Sequence, residues 1–199
     1  MDSSIFTPIQ LDALKEVSNI GAGNAATSLS LILGHKVDMN VPSVNMVKLN
    51  DIYEVAGEKE VYGIILRVLG DIQGNILIIF EKELAEKIIE GLSGMREEKI
   101  SEIGISVLSE IGNIMSAGYM NSISEFTGLS ISPSVPAVAY DMLSAIIGTV
   151  FLESYQYDEY ILDIETRFKD SSERDFGINF YYIPVPGSLE KMLKKIGLN

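Results

Sequence analysis

The sequence contains no cysteine and one histidine, His35, among its 199 residues. The first absence excludes disulfides, zinc–thiolate sites, iron–sulfur clusters and cysteine nucleophiles. The second leaves one imidazole to carry any multi-histidine metal site or Ser-His-Asp triad, so neither is expected. Cations are scarce too: 15 Lys+Arg stand against 28 Asp+Glu, a formal net charge of −13. A phosphate backbone or an anionic membrane surface attracts clustered Lys and Arg, so binding to nucleic acid or to a membrane is not expected. The longest nearly apolar run, Ala145 to Leu152, is far short of the roughly 20 residues a membrane helix needs. Met1-Asp2-Ser3-Ser4 lacks a basic stretch leading into an apolar core, so it is not read as a signal peptide. With 47% hydrophobic and 22% charged residues, the expectation is a folded, soluble, cytoplasmic protein that is monomeric.

What is present is an internal repeat. Leu11–Ile20 and Ile105–Ile114 share Leu14/Leu108, Glu16/Glu110, Asn19/Asn113 and Ile20/Ile114 at a constant offset of 94. The same offset carries Val41-Pro42 onto Val135-Pro136. Further on, the correspondence survives with a drifting offset. Tyr62–Leu66 resembles Glu159–Leu162, Asn75–Ile79 resembles Asn179–Ile183, and Leu84/Ile88 resembles Leu189/Leu193. Drift of this kind is what loop insertions between shared elements produce. The expectation is one domain over residues 1–199, with half-units at about 8–94 and 102–199, because neither half has enough chain for a good core of its own.

Apolar spacing predicts a long helix at the start of each half, from Gln10 to about Leu33 and from Ile103 to about Gly128. Thr7-Pro8 marks a start and Thr127-Gly128 a stop. Runs rich in Val, Ile and Tyr predict strands at 61–69, 74–80, 148–154, 159–168 and 177–184. Helices at 82–92 and 188–196 close the halves, Met95–Lys99 joins them, and Arg167–Asp175 reads as an exposed loop. The fold class is therefore α+β, with duplicated half-units about a pseudo-two-fold axis and a mainly antiparallel sheet flanked by helices.

On the first helix, Asp12, Glu16 and Asn19 fall within about 60° of one another, as Ser106, Glu110 and Asn113 do on the second. Leu14, Val17 and Ile20, with Leu108, Ile111 and Ile114, are assigned to the opposite, core side. Any solvated helix face carries Glu and Asn. Asn, however, is a poor helix former, and here it recurs at the same phase in both halves while its neighbours differ. Asn neither titrates nor attacks, so the pair is no nucleophilic dyad; nor is one Glu per helix the paired carboxylates of a glycosidase. An amide can hold a water molecule and align it on phosphorus. A carboxylate beside it can anchor a partner's Lys or Arg.

Asp12-x3-Glu16-x2-Asn19-x22-Pro42 and Ser106-x3-Glu110-x2-Asn113-x22-Pro136 resemble the two signatures of the CheC/CheX/FliY family of chemotaxis phosphatases, in its two-signature CheC branch. The resemblance implies hydrolysis of the aspartyl-phosphate of the response regulator CheY. It implies that Asn19 and Asn113 orient the attacking water and that Glu16 and Glu110 dock on the regulator's active-site lysine. Asp12 and Ser106 would flank the sites, while Pro42 and Pro136 would shape the turn after each helix. The chain would need no cofactor of its own, the Mg²⁺ belonging to phosphorylated CheY. The receptor deamidase CheD is implied as a second partner. The alternative is a non-catalytic adaptor binding CheD or a regulator.

Other features read more simply. Gly21-Ala22-Gly23-Asn24-Ala25-Ala26 fits G-x-G-x-x-A, but a dinucleotide fingerprint needs a strand before it, and here a helix precedes. Small residues that let the helix approach another element closely account for it better. His35 reads as a solvated or capping residue, the methionines as core filling, and Lys191, Lys194 and Lys195 as favourable to the last helix's dipole.

Overall fold

The computed structural model describes residues 6–48, 51–52, 59–94, 101–154, 160–169, 175–195 and 197. The first helix, α1 (Pro8–Leu33), begins with a capping box: Thr7 accepts from the Gln10 backbone N–H, and the Gln10 side chain accepts from the Thr7 N–H. Gly34, at φ 68°, ends it in the left-handed conformation that glycine tolerates best. Strands β1 (Asp38–Lys48), β2 (Glu60–Gly70) and β3 (Gly74–Glu81) and helix α2 (Lys82–Ser93) complete the first half. The second half starts with α3 (Glu102–Thr127), capped by Ser101 and stopped at Gly128, φ 69°. Then follow β4 (Ile131–Pro133), β5 (Ala137–Met142), α4 (Leu143–Ser154), β6 (Tyr160–Lys169), β7 (Asp175–Pro184) and α5 (Ser188–Lys195). Helices α1 and α3 both have 26 residues and start 94 positions apart.

All seven strands join one antiparallel sheet in the order β1-β6-β7-β3-β2, with β4 and β5 both on the outer edge of β2. Each half thus lends its first strand to the other: β1 pairs with β6, and β4–β5 pair with β2. The halves meet at β3 and β7, where Leu77 pairs with Tyr181, its own counterpart in the repeat. The pseudo-two-fold axis passes between these two residues. The α+β class, the duplication and the antiparallel sheet are as the sequence predicts.

One face of the sheet, with Ile64, Leu66, Ile76, Ile78, Phe80, Ile164 and Phe180, carries the main core against α1 and α3. The other face packs Ile146, Ile147 and Val150 of α4 onto Val61, Leu77, Ile79, Ile161 and Tyr181. The two long helices are in very close contact. A Cβ added to Gly21 would lie 2.8 Å from the Tyr119 Cα, and one added to Gly118 would lie 2.9 Å from the Gly21 carbonyl oxygen. Gly21, the first glycine of the G-x-G-x-x-A stretch, therefore serves helix packing, whereas Gly23 faces open space. Tyr119, buried at this crossing, donates to or accepts from Thr166 at 2.9 Å and stacks on Phe180.

Four expectations are corrected. Residues 148–154 belong to helix α4, whose Ile146, Ile147 and Val150 bury one side at helical spacing. Strands β1, β4 and β5 were not expected: prolines and polar residues break their alternation, and their partners lie far away in sequence. Arg167, Phe168 and Lys169 extend β6, and Asp175 starts β7; the remainder of the expected loop, 170–174, lies outside the described residues. Lys191 does more than favour a dipole: its Nζ donates to the Asp71 carbonyl (2.7 Å) and carboxylate (3.1 Å). The Ser130 backbone N–H and then Lys191 hold the Asp71 carboxyl below its usual pKa. The junction Met95–Lys99 lies outside the described residues.

Candidate functional site

Both signatures lie on the long helices. Asp12 and Glu16 of α1, and Ser106 and Glu110 of α3, are exposed. Neither Glu16 nor Glu110 has an ion-pair partner among the described residues, so both carboxylates are available to an incoming cation. Leu14, Val17, Leu108 and Ile111 are buried beneath them, as the helical phase requires. Ile20 is not: it is 52% exposed, because one step beyond Asn19 turns it by about 100°, next to Glu16 rather than into the core. Each stripe therefore has an apolar edge, with Ile114 half-buried in the matching place.

The two asparagines differ. Asn19 is half-buried and makes a two-point contact with the Val41 backbone. The Val41 N–H donates to Asn19 Oδ1 at 2.8 Å, and Asn19 Nδ2 donates to the Val41 carbonyl at 3.3 Å. Val41 and Pro42 occupy a bulge in β1, where pairing with β6 slips between Asn40 and Ser43. Pro42 thus sits within a strand rather than in a turn after the helix, where its missing N–H costs no ladder bond. Asn113 is exposed, and its carboxamide has no hydrogen-bond partner among the described residues.

Pro136 lies in the matching interruption, between β4 and β5, but the local bonding is different. The Ser134 N–H donates to the Arg67 carbonyl, the Arg67 N–H donates to Ser134 Oγ, and Ser134 Oγ donates to the Val135 carbonyl. Val135 is 87% exposed, whereas Val41 is 1% exposed. Asn113 instead borders a polar groove of about 460 Å³ between the helices, which also takes in Asn24, Thr27 and Ser28 of α1 and Asn121 of α3. The bond from Asn19 to Val41 was not foreseen from sequence, and the 22-residue spacing from Asn to Pro does not signal it, because the same spacing in the second half carries no such bond among the described residues.

No cysteine exists, and His35 is exposed beyond the cap of α1 with Nδ1 3.2 Å from the Lys36 carbonyl oxygen. Among the described residues no group of three or more His, Asp or Glu could hold a metal ion, and no helix is long and apolar enough to cross a membrane. Each site thus offers a carboxylate and an amide.

A duplicated α+β fold built on one antiparallel sheet is the architecture shared with several solved chemotaxis and flagellar proteins. FliY from Thermotoga maritima matches with a TM-score of 0.81 at 23% identity, over 97% of this chain and 98% of that one. The FliM middle domain from H. pylori matches with 0.74 at 14% identity, over 96% and 99%. Residues 9–46 and 103–140, which hold the two signatures, each match the CheC-like family. The chain is 32% identical over 205 residues to the CheY-P phosphatase CheC of Bacillus subtilis (strain 168), an alignment covering 98% of each. The chain belongs to the CheC-like family.

Proposed function

We propose that this protein hydrolyses the aspartyl-phosphate of the response regulator CheY, working through Glu16/Asn19 and Glu110/Asn113. The observation that carries this reading is an exposed Glu beside an Asn on each of the two long helices, with no partner for either Glu among the described residues, in a chain so similar to a CheY-P phosphatase. A carboxamide offers one acceptor and two donors, enough to hold and aim a water without itself changing protonation. Water oxygen attacks phosphorus, the phosphorus–oxygen bond to the aspartyl carboxyl breaks, and the regulator's carboxylate leaves. Products are inorganic phosphate and the regulator's free aspartate. Alignment of this kind converts a slow solvent reaction into a positioned one. Glu16 and Glu110 fit a docking role through charge-assisted hydrogen bonds to a regulator lysine, and the metal needed for charge neutralisation would reside in the regulator.

In this reading the whole chain acts as one domain, with residues 8–94 and 102–199 as its halves. Asp12 and Ser106 flank the docking carboxylates, and Pro42 and Pro136 mark the two strand interruptions. CheD is proposed as a second partner on family resemblance.

The docking role is tested by binding of phosphorylated CheY to the Glu16→Lys/Glu110→Lys variant. Like charges facing the regulator's lysine should weaken binding at least about tenfold. Unchanged affinity would remove the carboxylates from the interface.

A further inference from the structure

We infer that the two sites are inequivalent: Asn113 stands ready to position water, whereas Asn19 is latched to the Val41 backbone and must let go before it can act. The inference rests on the phosphatase reading above. A carboxamide whose Oδ1 and Nδ2 are both engaged by the backbone of one residue keeps one lone pair and one N–H, but its plane is fixed by that backbone rather than turned to a water. The bulge at Val41-Pro42 aims an N–H and a C=O of β1 back at α1. Val41 is buried, which fixes that peptide in place.

The second half has lost this arrangement at the corresponding residues. The Val135 carbonyl accepts from Ser134 Oγ, the Val135 side chain turns out to solvent, and Asn113 borders the open groove beside Asn24 and Thr27. The latch is therefore a property of the first site alone. Val41 acts as a positioning residue, holding Asn19 in a non-reactive orientation until regulator docking displaces it. Two hydrogen bonds exchanged for bonds to water and regulator would leave the first site roughly tenfold less populated in its competent form.

Two measurements test this. The first is CheY-phosphate hydrolysis by Asn19→Ala, Asn113→Ala and the double variant. Asn113→Ala should lose about tenfold of the protein-dependent rate, and Asn19→Ala should keep most of it. The second is NMR of the unmodified protein, which needs no variant to fold. The Asn19 side-chain amide and the Val41 N–H should exchange slowly with solvent and the Asn113 amide fast, and adding phosphorylated CheY should speed exchange at Val41. Equal losses from the two single variants, or fast exchange at Asn19 in the free protein, would overturn the latch while leaving the phosphatase reading intact. A folded double variant with full activity would instead overturn the assignment of both asparagines, and a parent protein that does not speed phosphate loss from phosphorylated CheY would overturn the phosphatase reading.

Discussion

At the scale of single residues, the same side chain carries different burdens in the two halves. Asn19 satisfies both backbone polar groups of the buried Val41, so Asn19→Ala should cost about 1–3 kcal/mol by stranding the Val41 N–H and C=O. Asn113 supports nothing among the described residues, and Asn113→Ala should stay within about 0.5 kcal/mol of the parent. Thermal melts of the two variants check this directly, and equal melting points would refute it. Asp163 gives a pH-dependent counterpart. It lies on β6 between Asn45 and Tyr181, and burial, with a smaller contribution from Glu165, pushes its carboxyl up to about 6, against a hydrogen bond from Asn179. Its folded pKa therefore exceeds its unfolded one, so the native state binds the extra proton between about pH 4 and 6. Stability from this group is present at low pH and is lost as pH rises through 6. Asp163→Asn should therefore stabilise the protein at pH 7 by about 1–3 kcal/mol, with the gain fading below pH 5. Denaturant titrations at the two pH values read it out; a gain that is the same at both would contradict the assignment.

At the scale of elements, the long helices were legible because their signals are local. A capping threonine, a proline in the first turn and a terminal glycine fix α1 without reference to the rest of the chain. Helix α4 was not legible, since Gly148-Thr149-Val150-Phe151 has strand-like composition and its helical identity depends on burying Ile146, Ile147 and Val150 against the sheet. Strand β1 was hidden for the opposite reason. Its pattern is interrupted by the Val41-Pro42 bulge, and its partner β6 is more than a hundred residues away. The Glu and Asn of each site could be read from repetition at one helical phase, but the latch could not, because it joins a helix to a strand across a bulge. The α1–α3 contact offers a sharp prediction. Gly21→Ala would press a methyl onto the Tyr119 backbone and should cost about 1–3 kcal/mol, whereas Gly23→Ala, with nothing within 4 Å, should stabilise α1 by about 0.5–1 kcal/mol. Chemical denaturation of both variants checks the sign as well as the size.

At the scale of the whole molecule, the exchange of first strands makes the halves interdependent. Residues 1–94 alone would leave β1 without β6 and β2 without β4 and β5, exposing sheet edges on both sides of the half-unit. That fragment should be unfolded or should pair with a second copy, rebuilding the sheet with its own β1; size-exclusion chromatography and circular dichroism distinguish a folded monomer, which would contradict the interlocked sheet. Interlocking also explains how two sites are held on one rigid layer while differing in local bonding. The chain has no thiol, a lone exposed imidazole and a strong negative charge, and the polar side chains that both signatures specify on its long helices are a carboxylate and an amide. Such equipment suits completing another protein's active centre. The most direct test of that claim is the rate of phosphate loss from phosphorylated CheY in the presence of the folded Asn19→Ala/Asn113→Ala protein. The rate should fall to that of CheY alone, and a double variant as active as the parent would contradict the assignment of Asn19 and Asn113 to the site.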